Sequence, residues 1–320
     1  MTEFKTLSLS ECAKRLTELK RAAVYIHVRP DGDAVGSSSA LVLLLRQMGK
    51  EAVIASADPI PERLAFLTEG ITVTDAPEGY TPISIDSASP SQLGALYEKG
   101  IPVLAIDHHA VNTPYCDNYT ISHASSAGEV LFGIIQELEG MGAARLTPDI
   151  AERIYAAIVC DTGGFAYSNT GKNTHLAAAE LVETGIDHAD LTKRLLQSRS
   201  AAQIRAEGYI ALNMKTSAEG RISYALLSRA ERQSLGLAFS DFETAIDVVR
   251  TLRGSEISFV LKETDQGEFK SSLRSVGANV ASVAALHGGG GHIRAAGCAV
   301  KADSLDEAEK ILLSELSELL

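Results

Sequence analysis

The sequence contains no tryptophan, eight phenylalanines and nine tyrosines, so aromatic side chains are scarce for a chain of 320 residues. This scarcity gives no sign of a platform on which the bases of a long single strand could stack. Long apolar runs are also missing, since stretches such as residues 41–45 are far shorter than the ~20 residues that cross a bilayer. The N-terminus lacks the apolar segment of a signal peptide. We therefore expect a cytoplasmic protein without membrane association.

Cysteine and basic residues are limited as well. The four cysteines, Cys12, Cys116, Cys160 and Cys298, are widely spaced and form no CxxC pair, so zinc fingers and disulfide frameworks have no support. Cys160, inside an apolar run, is more simply a core residue. The 29 lysines and arginines stand against 41 acidic residues, which gives a net charge of −12. This balance excludes binding of a long duplex through a broad basic surface.

Short apolar strands alternate with helical patterns in the first half of the sequence. The predicted strands cover residues 22–28, 51–56, 82–87 and 101–107, and the predicted helices cover 34–48, 90–99, 126–139, 148–159, 173–184 and 200–215. Nearly all-apolar strands separated by helices are typical of a parallel sheet covered on both faces, so we expect an α/β fold with a mostly parallel sheet. Such sheets bind ligands beyond the carboxyl ends of their strands.

The pattern changes after residue 220, where a smaller α/β domain is predicted. Its predicted strands cover 221–228, 256–263, 267–275 and an edge strand at 297–302, and its predicted helices lie near 241–253 and from 304 onward. The stretch between the two parts is polar and helical. We therefore expect domains at 1–195 and 220–320, a helical connector at 196–219, and a substrate cleft between the domains.

Carboxylates and histidines follow four apolar segments of the first domain. They are His27, Asp31 and Asp33 after the first strand, Asp86 after ISID, Asp107-His108-His109 ending VLAID, and Asp161 after AAIVC. One such aspartate could simply cap a helix, as Asp33 could. The recurrence argues against this interpretation, because buried carboxylates without partners are strongly disfavoured. Oxygen and imidazole ligands together suit Mn²⁺ or Mg²⁺ better than Fe²⁺ or Zn²⁺, and they suffice for two ions ~3.5–4 Å apart.

In order along the chain, these segments resemble the four motifs of the DHH phosphoesterase superfamily, which is named after the triad found here at 107–109. The other three motifs are HVRPDGDAVGS at 27–37, the isolated Asp86 and DTGGF at 161–165. The resemblance implies that His27 and Asp31 bind a first ion, that Asp33, His108 and Asp161 bind a second, and that Asp86 bridges them. It also implies that Asp107 orients His108 and that His109 faces the scissile phosphate.

The second domain contains a run of glycines with cationic neighbours. Gly288, Gly289, Gly290 and Gly291 precede His292 and Arg294. Backbone N–H groups of consecutive glycines can approach an anion, and the missing Gly-Lys-Ser/Thr excludes a P-loop. This run resembles the DHH-associated domain, which grips the far end of the substrate. Arg274 and Ser275 resemble that domain's second substrate-contacting strand, and Arg274 suits bidentate binding of a phosphate.

Within the superfamily, the sequence resembles the stand-alone nanoRNase and pAp-phosphatase type, also called bifunctional oligoribonucleases. No sensory or membrane domain precedes residue 20, the oligonucleotide-binding domain of RecJ-type exonucleases is missing, and family II pyrophosphatases lack the GGGGH loop. The resemblance implies hydrolysis of di- to pentanucleotides to 5′-mononucleotides, or of 3′-phosphoadenosine 5′-phosphate (pAp) to AMP. The nucleophile would be a hydroxide formed between two ions, most simply Mn²⁺, with Mg²⁺ as the alternative.

Two other functions stay open at this point. One is a soluble phosphodiesterase for linear or cyclic dinucleotides such as pApA and c-di-AMP. The other is a non-catalytic nucleotide sensor, which the complete ligand set disfavours. Ala166 stands where an arginine is expected after DTGGF, so contacts to a base or phosphate are expected to differ there. The helices after residue 125 could pair two chains into a homodimer.

Overall fold

The structure, a computed structural model, describes residues 4–320. It consists of two compact units whose boundary in the sequence lies between Ser198 and Arg199. None of the helices it describes is long and apolar enough to cross a membrane.

The first unit is built on a parallel sheet of six strands. In chain order the strands are β1 (Arg21–Tyr25), β2 (Glu51–Ala55), β3 (Val73–Thr74), β4 (Thr81–Ile85), β5 (Ala105–Asp107) and β6 (Asn118–Thr120). They are arranged β3-β2-β1-β4-β5-β6, and every neighbouring pair is parallel. Alternate residues of β1 enter two different cores: Val24 packs on one face of the sheet and Tyr25 on the other. The predicted α/β fold with a covered parallel sheet is confirmed.

The main difference between the predicted and observed helices of the first unit is a break at a glycine. In chain order they are α1 (Leu9–Glu18), α2 (Gly32–Gln47), α3 (Pro90–Leu93), α4 (Ala95–Lys99), α5 (Ala127–Gly140), α6 (Pro148–Thr162), α7 (Lys172–Glu183) and α8 (His188–Thr192), with a 3₁₀ segment at Glu62–Thr68 and a π-helical turn at Lys193–Gln197. The helix predicted at 90–99 is broken at Gly94, whose φ of 55° lies in the left-handed region.

The strand order creates a crevice beside β1. The chain leaves β1 for β2 on one side, whereas β4 lies on the other side. Loops at the carboxyl ends of β1 and β4 therefore diverge, which is the position where open α/β sheets bind ligands. His27 follows β1 and Asp86 follows β4, so this topology brings them to the same crevice.

Glycines let three helices approach closely beside this crevice. A Cβ on Gly36 of α2 would lie 2.6 Å from the carbonyl oxygen of Arg153 in α6. A Cβ on Gly128 of α5 would lie 2.6 Å from the Cβ of Ala157 in α6. This packing fixes the positions of the first turns of α2 and α5 and the last turn of α6 relative to one another.

The second unit is a smaller α/β unit, as predicted, and its sheet is mixed. Its strands are β7 (Lys215–Ser217), β8 (Ile222–Leu227), β9 (Ile257–Glu263), β10 (Phe269–Ser275), β11 (Gly290–His292) and β12 (Ala295–Val300), in the order β11-β12-β10-β9-β8-β7. Its helices are α9 (Ala201–Leu212), α10 (Arg229–Ser234), α11 (Ala245–Val249), α12 (Val280–Leu286) and α13 (Leu305–Ser317), with 3₁₀ turns at Ala218–Gly220 and Phe239–Phe242. Only β8 and β9 pair in parallel.

Two predictions for the second unit are wrong. The strand near 297–302 is interior rather than an edge, because β11 pairs with its outer side. Glycines 290 and 291 belong to this edge strand and have no side chains to produce an apolar alternation. The helix predicted at 200–215 ends at Leu212, and β7 follows it.

We predict that Gly36→Ala destabilises the protein by about 1–3 kcal/mol, because the added methyl group would overlap a backbone carbonyl. Chemical denaturation followed by circular dichroism measures the change. Gly133→Ala is the matched control, since Gly133 is also helical but has open space around it. Removing that glycine should leave the protein unchanged or more stable by up to ~1 kcal/mol. Equal effects of the two substitutions would contradict the packing argument.

Candidate metal centre

His27 and Asp31 form the side of the site nearest β1. The Nδ1 of His27 donates to the carbonyl of Val28 at 2.9 Å, which directs Nε2 toward carboxylates. This Nε2 lies 3.7 Å from Asp31 Oδ1 and 3.6 Å from Asp86 Oδ2. The same Asp31 oxygen caps α2 by accepting from the backbone N–H groups of Asp33 and Ala34. Asp31, and not Asp33, is therefore the helix cap.

Asp33 is oriented by the neighbouring helix α5. Its carboxylate accepts from the backbone N–H groups of Ala127, at 2.6 Å, and Gly128, at 3.0 Å. These N–H groups belong to the first turn of α5, where helix donors lack intrahelical partners. The Nε2 of His108 lies 3.7 Å from Asp33 Oδ2 and 3.6 Å from Asp161 Oδ2. Asp161 reaches this position from the last turn of α6.

The carboxylate of Asp86 lies between the two histidines. Its Oδ1 is 3.5 Å from Nε2 of His108, and its Oδ2 is 3.6 Å from Nε2 of His27. Asp86 is buried, and its φ of 57° lies in the left-handed region, which aspartate tolerates better than most residues. A strained backbone of this kind is typical of functional positions.

The ligand atoms fall into groups that could each hold a cation. Within each group the atoms lie within 4.8 Å of one another: His27, Asp31 and Asp86 in the first, Asp33, His108 and Asp161 in the second, and Asp86, His108 and His109 in a third. Asp86 joins the first and third groups, and His108 joins the second and third. Carboxylate oxygens combined with imidazole nitrogens suit divalent cations such as Mn²⁺ and Mg²⁺.

Asp107 has a different partner from the one expected. Its Oδ1 accepts from Nδ1 of His109 at 2.7 Å and from the backbone N–H of His108 at 2.8 Å. The ring of His108 is directed elsewhere, with Nδ1 3.4 Å from the carbonyl of Ala124 and Nε2 toward Asp86. His109 folds back over the end of β5, and Asp107 therefore orients its ring.

The charges of the cluster perturb one another strongly. Burial lowers the pKa of His27, but the nearby carboxylates of Asp31 and Asp86 outweigh it and raise that pKa to about 11. Burial also lowers the pKa of His108. Its hydrogen bond to Asp86 and the charge of Asp33 outweigh burial and raise that pKa to about 11. Burial and nearby carboxylates raise the pKa of Asp161 to about 7. Without cations, protons on the histidines therefore balance the carboxylates.

Asn169 is a positioning residue that no pattern in the sequence indicated. Its Nδ2 donates to the carbonyl of Ser125 at 2.9 Å and to the carbonyl of Asp161 at 3.1 Å. It thus links the loop before α5 to the end of α6. Ala166, in the same segment, is exposed and carries only a methyl group where an arginine was expected.

In the second unit, the predicted substrate-binding residues lie on one end of the sheet. Arg274 of β10 and His292 of β11 both lie opposite Ala295 of β12, so their side chains lie on the same face of the sheet. Strand spacing separates the two backbones by about 10 Å. Ser275 donates to the carbonyl of Ala278. Residues 288–294 are all exposed, and they include the predicted Gly288, Gly289, Gly290, Gly291, His292 and Arg294.

Two of these glycines have a packing requirement of their own. A Cβ on Gly289 would lie 2.2 Å from the carbonyl oxygen of Gly297. A Cβ on Gly291 would lie 2.4 Å from that of Ala295. The hairpin can therefore close only with glycine at both positions.

Fold and site together define a member of the DHH family. Residues 21–158 match the DHH family, N-terminal domain, and residues 227–318 match the DHHA1 domain. The chain is 34% identical to the bifunctional oligoribonuclease and PAP phosphatase NrnA of Thermus thermophilus, over 92% of this chain and 89% of that protein. We conclude that the chain belongs to the DHH family.

Two further proteins extend the comparison. The protein of the same name from Bacillus subtilis is 30% identical over 90% of this chain and 91% of its own length. The crystal structure of an exopolyphosphatase-related protein from Bacteroides fragilis has the same fold, with a TM-score of 0.89 at 23% identity over 99% of this chain and 98% of that one.

Divalent metal affinity should rise with pH, because a metal ion must displace the protons that pKa values of about 11 retain on His27 and His108. Calorimetric titration with Mn²⁺ in buffers of different ionisation enthalpy measures the protons released. We expect proton release and an affinity that increases from about pH 6 to about pH 8.5. His27→Ala should reduce both, whereas His123→Ala, on an exposed histidine outside the groups, should change neither. An affinity independent of pH would contradict this assignment.

Proposed function

We propose that this protein hydrolyses phosphoester bonds of short oligoribonucleotides and of pAp, releasing 5′-mononucleotides, and that it does so with two divalent ions, preferably Mn²⁺. The observation that carries the proposal is the bridging position of Asp86, which turns one oxygen toward His27 and the other toward His108. The relatives named as oligoribonuclease and PAP phosphatase, with coverage near nine tenths of both chains, support the substrate class.

The proposed ligand set keeps the two ions distinct. His27 and Asp31 would hold one ion, Asp33, His108 and Asp161 would hold the other, and Asp86 would contact both. Asp33 and Asp86 are buried, and each lies close to other carboxylates. Burial and the charge of Asp86 raise the pKa of Asp33 well above its usual range. Like charges held this close indicate a site built for cations.

Residues of the chain itself would bind and orient the phosphate for attack. Two divalent ions bound here would supply a water molecule of lowered pKa and positive charge beside the phosphate. His109, held by Asp107 through Nδ1, would donate from Nε2 to a phosphate oxygen. Asp107 would stabilise the protonated form of His109, since its hydrogen bond outweighs burial and raises the pKa of this histidine.

The second unit would contribute to substrate binding. Arg274 and Ser275, with Gly288, Gly289, Gly290, Gly291, His292 and Arg294, form the proposed contacts to the end of the substrate distant from the metals. The shared face of Arg274 and His292 supports this role, since two donors at that spacing can hold one phosphate or the ends of a nucleotide.

Hydrolysis assays with defined substrates test the proposal. The purified protein with Mn²⁺ should release AMP from pAp and from pApA, while Asp86→Asn should lose at least ~10³-fold in rate. Asparagine tolerates the positive φ of this position, so the variant should keep the fold, which thermal denaturation checks. Asp75→Ala, on an exposed carboxylate paired with Lys99 away from the metal centre, is the control.

Substrate preference decides between the candidate functions. Turnover of c-di-AMP at a rate comparable to that of pApA would favour a dinucleotide phosphodiesterase. Hydrolysis of pyrophosphate alone would overturn the nucleotide proposal. A protein that binds nucleotides but keeps all measurable functions in Asp86→Asn would be a sensor.

Arg274→Ala should raise KM for pAp by about 10- to 100-fold, the value of a charge-assisted hydrogen bond to phosphate, with a smaller effect on kcat. Steady-state kinetics separates the two constants. Lys270→Ala is the matched control, because Lys270 is a cation of the same strand with only an exposed pair to Glu268. If KM is unchanged in Arg274→Ala, this residue does not bind the substrate.

A further inference from the structure

One wall of the metal centre opens into a pocket of the first unit. The pocket has a volume of about 140 Å³, against the ~10–15 Å³ that one water molecule needs on the same measure. Its lining residues are Asp31, Gly32, Arg63, Cys160, Asp161 and Leu196. Asp31 and Asp161 are the most exposed carboxylates of the cluster, at 54% and 24%, whereas Asp33 and Asp86 are at 1% and 4%. A substrate atom therefore reaches the cluster most directly from this pocket.

Arg63 is the cation of this pocket. It lies in the 3₁₀ segment Glu62–Thr68 and is exposed. Among the residues that the structure describes, none forms a hydrogen bond or ion pair with the guanidinium of Arg63, including Asp31 and Asp161 on the same pocket. Its charge is thus available to a ligand.

The segment that carries Arg63 is anchored to the helix that carries Asp161. Arg153 of α6 is buried, and it donates from Nε to the carbonyl of Leu67 at 2.8 Å and from NH2 to that of Glu69 at 3.4 Å. On the opposite side, the guanidinium of Arg194 lies 3.7 Å from the ring centre of Phe66. The backbone that carries Arg63 is therefore held in place relative to α6 and Asp161.

A guanidinium beside a site for divalent cations is favourable only when an anion lies between them. Bound cations and Arg63 repel one another, and a phosphoryl group removes this repulsion while gaining a charge-assisted hydrogen bond. The pocket has room for such a group with several water molecules. Its other wall, made by Gly32, Cys160 and Leu196, offers no charged side chain.

We propose that Arg63 contacts the phosphoryl group that is hydrolysed and stabilises the negative charge that develops on its oxygens. This inference rests on the proposed phosphoesterase function and adds a residue outside the metal ligands and outside the second unit. The guanidinium suits the task because it is planar, always charged and able to bind two phosphate oxygens at once.

Substitution of Arg63 tests the proposal with four readouts. Arg63→Ala should lower kcat/KM for pAp by about 10- to 100-fold and weaken inhibition by inorganic phosphate by a similar factor. Arg63→Lys should recover part of the loss, since lysine keeps the charge but not the paired donors. Mn²⁺ affinity, measured by calorimetry without substrate, and the melting temperature should stay unchanged in both variants.

The control is Arg145→Ala, on an exposed arginine of the same unit away from the pocket. It should behave as the wild type in every assay. Kinetics and phosphate inhibition of Arg63→Ala equal to those of the wild type would overturn the proposal. Mn²⁺ affinity falling in Arg63→Ala by the same factor as kcat/KM would also overturn it, because Arg63 would then act on the metal site. An inactive wild type would instead refute the proposed function.

Discussion

The candidate metal centre depends on one buried carboxylate that lies close to two histidines. Asp86 reaches both because β4 lies next to β1 on one side and β5 on the other, and because its backbone adopts a positive φ directly after β4. Its two oxygens then lie 3.6 Å from His27 and 3.5 Å from His108. Burial opposes the ionised carboxylate, but the nearby imidazoles of His108 and His27 hold its pKa far below the usual range. The remaining groups are arranged around this negative charge.

Helix packing supplies the other half of the cluster. Asp33 begins α2, Asp161 ends α6, and the first N–H groups of α5 hold the Asp33 carboxylate. These three ends can meet only because Gly36 and Gly128 remove side chains where the helices touch. A loss of packing several residues from the cluster would therefore change the distance between its carboxylates. The two glycines therefore influence the metal centre indirectly, because they set how closely the helices approach one another.

Much of this arrangement could be predicted from the sequence, because strands impose a simple rule. A polar residue directly after an apolar strand lies at the carboxyl edge, so Asp86 and Asp107 could be assigned to one place. The partner of Asp107 could not be predicted, since His108 and His109 are adjacent and only the turn after β5 decides which ring folds back. Nor could the strand at Gly290–His292, because glycine has no side chain to show an alternating pattern. Arg63 was not selected from the sequence, because its proposed role depends on a fold contact through Arg153, which is far away in the sequence.

The overall charge of −12 says little about the ligands of such a site. Several of the acidic residues are gathered in one cluster, where burial and mutual repulsion raise the pKa of Asp33 and Asp161. Two divalent ions would reverse the sign of the local field, so an anionic phosphate would meet positive charge on an acidic protein. The cations proposed to contact the substrate are local: Arg63 in the first unit, and Arg274 and Arg294 in the second. An acidic surface with a cationic site repels long polyanions at a distance while still favouring a short phosphorylated substrate once it has entered. This balance is a physical reason why the proposed substrates are mononucleotide-sized or a few nucleotides long.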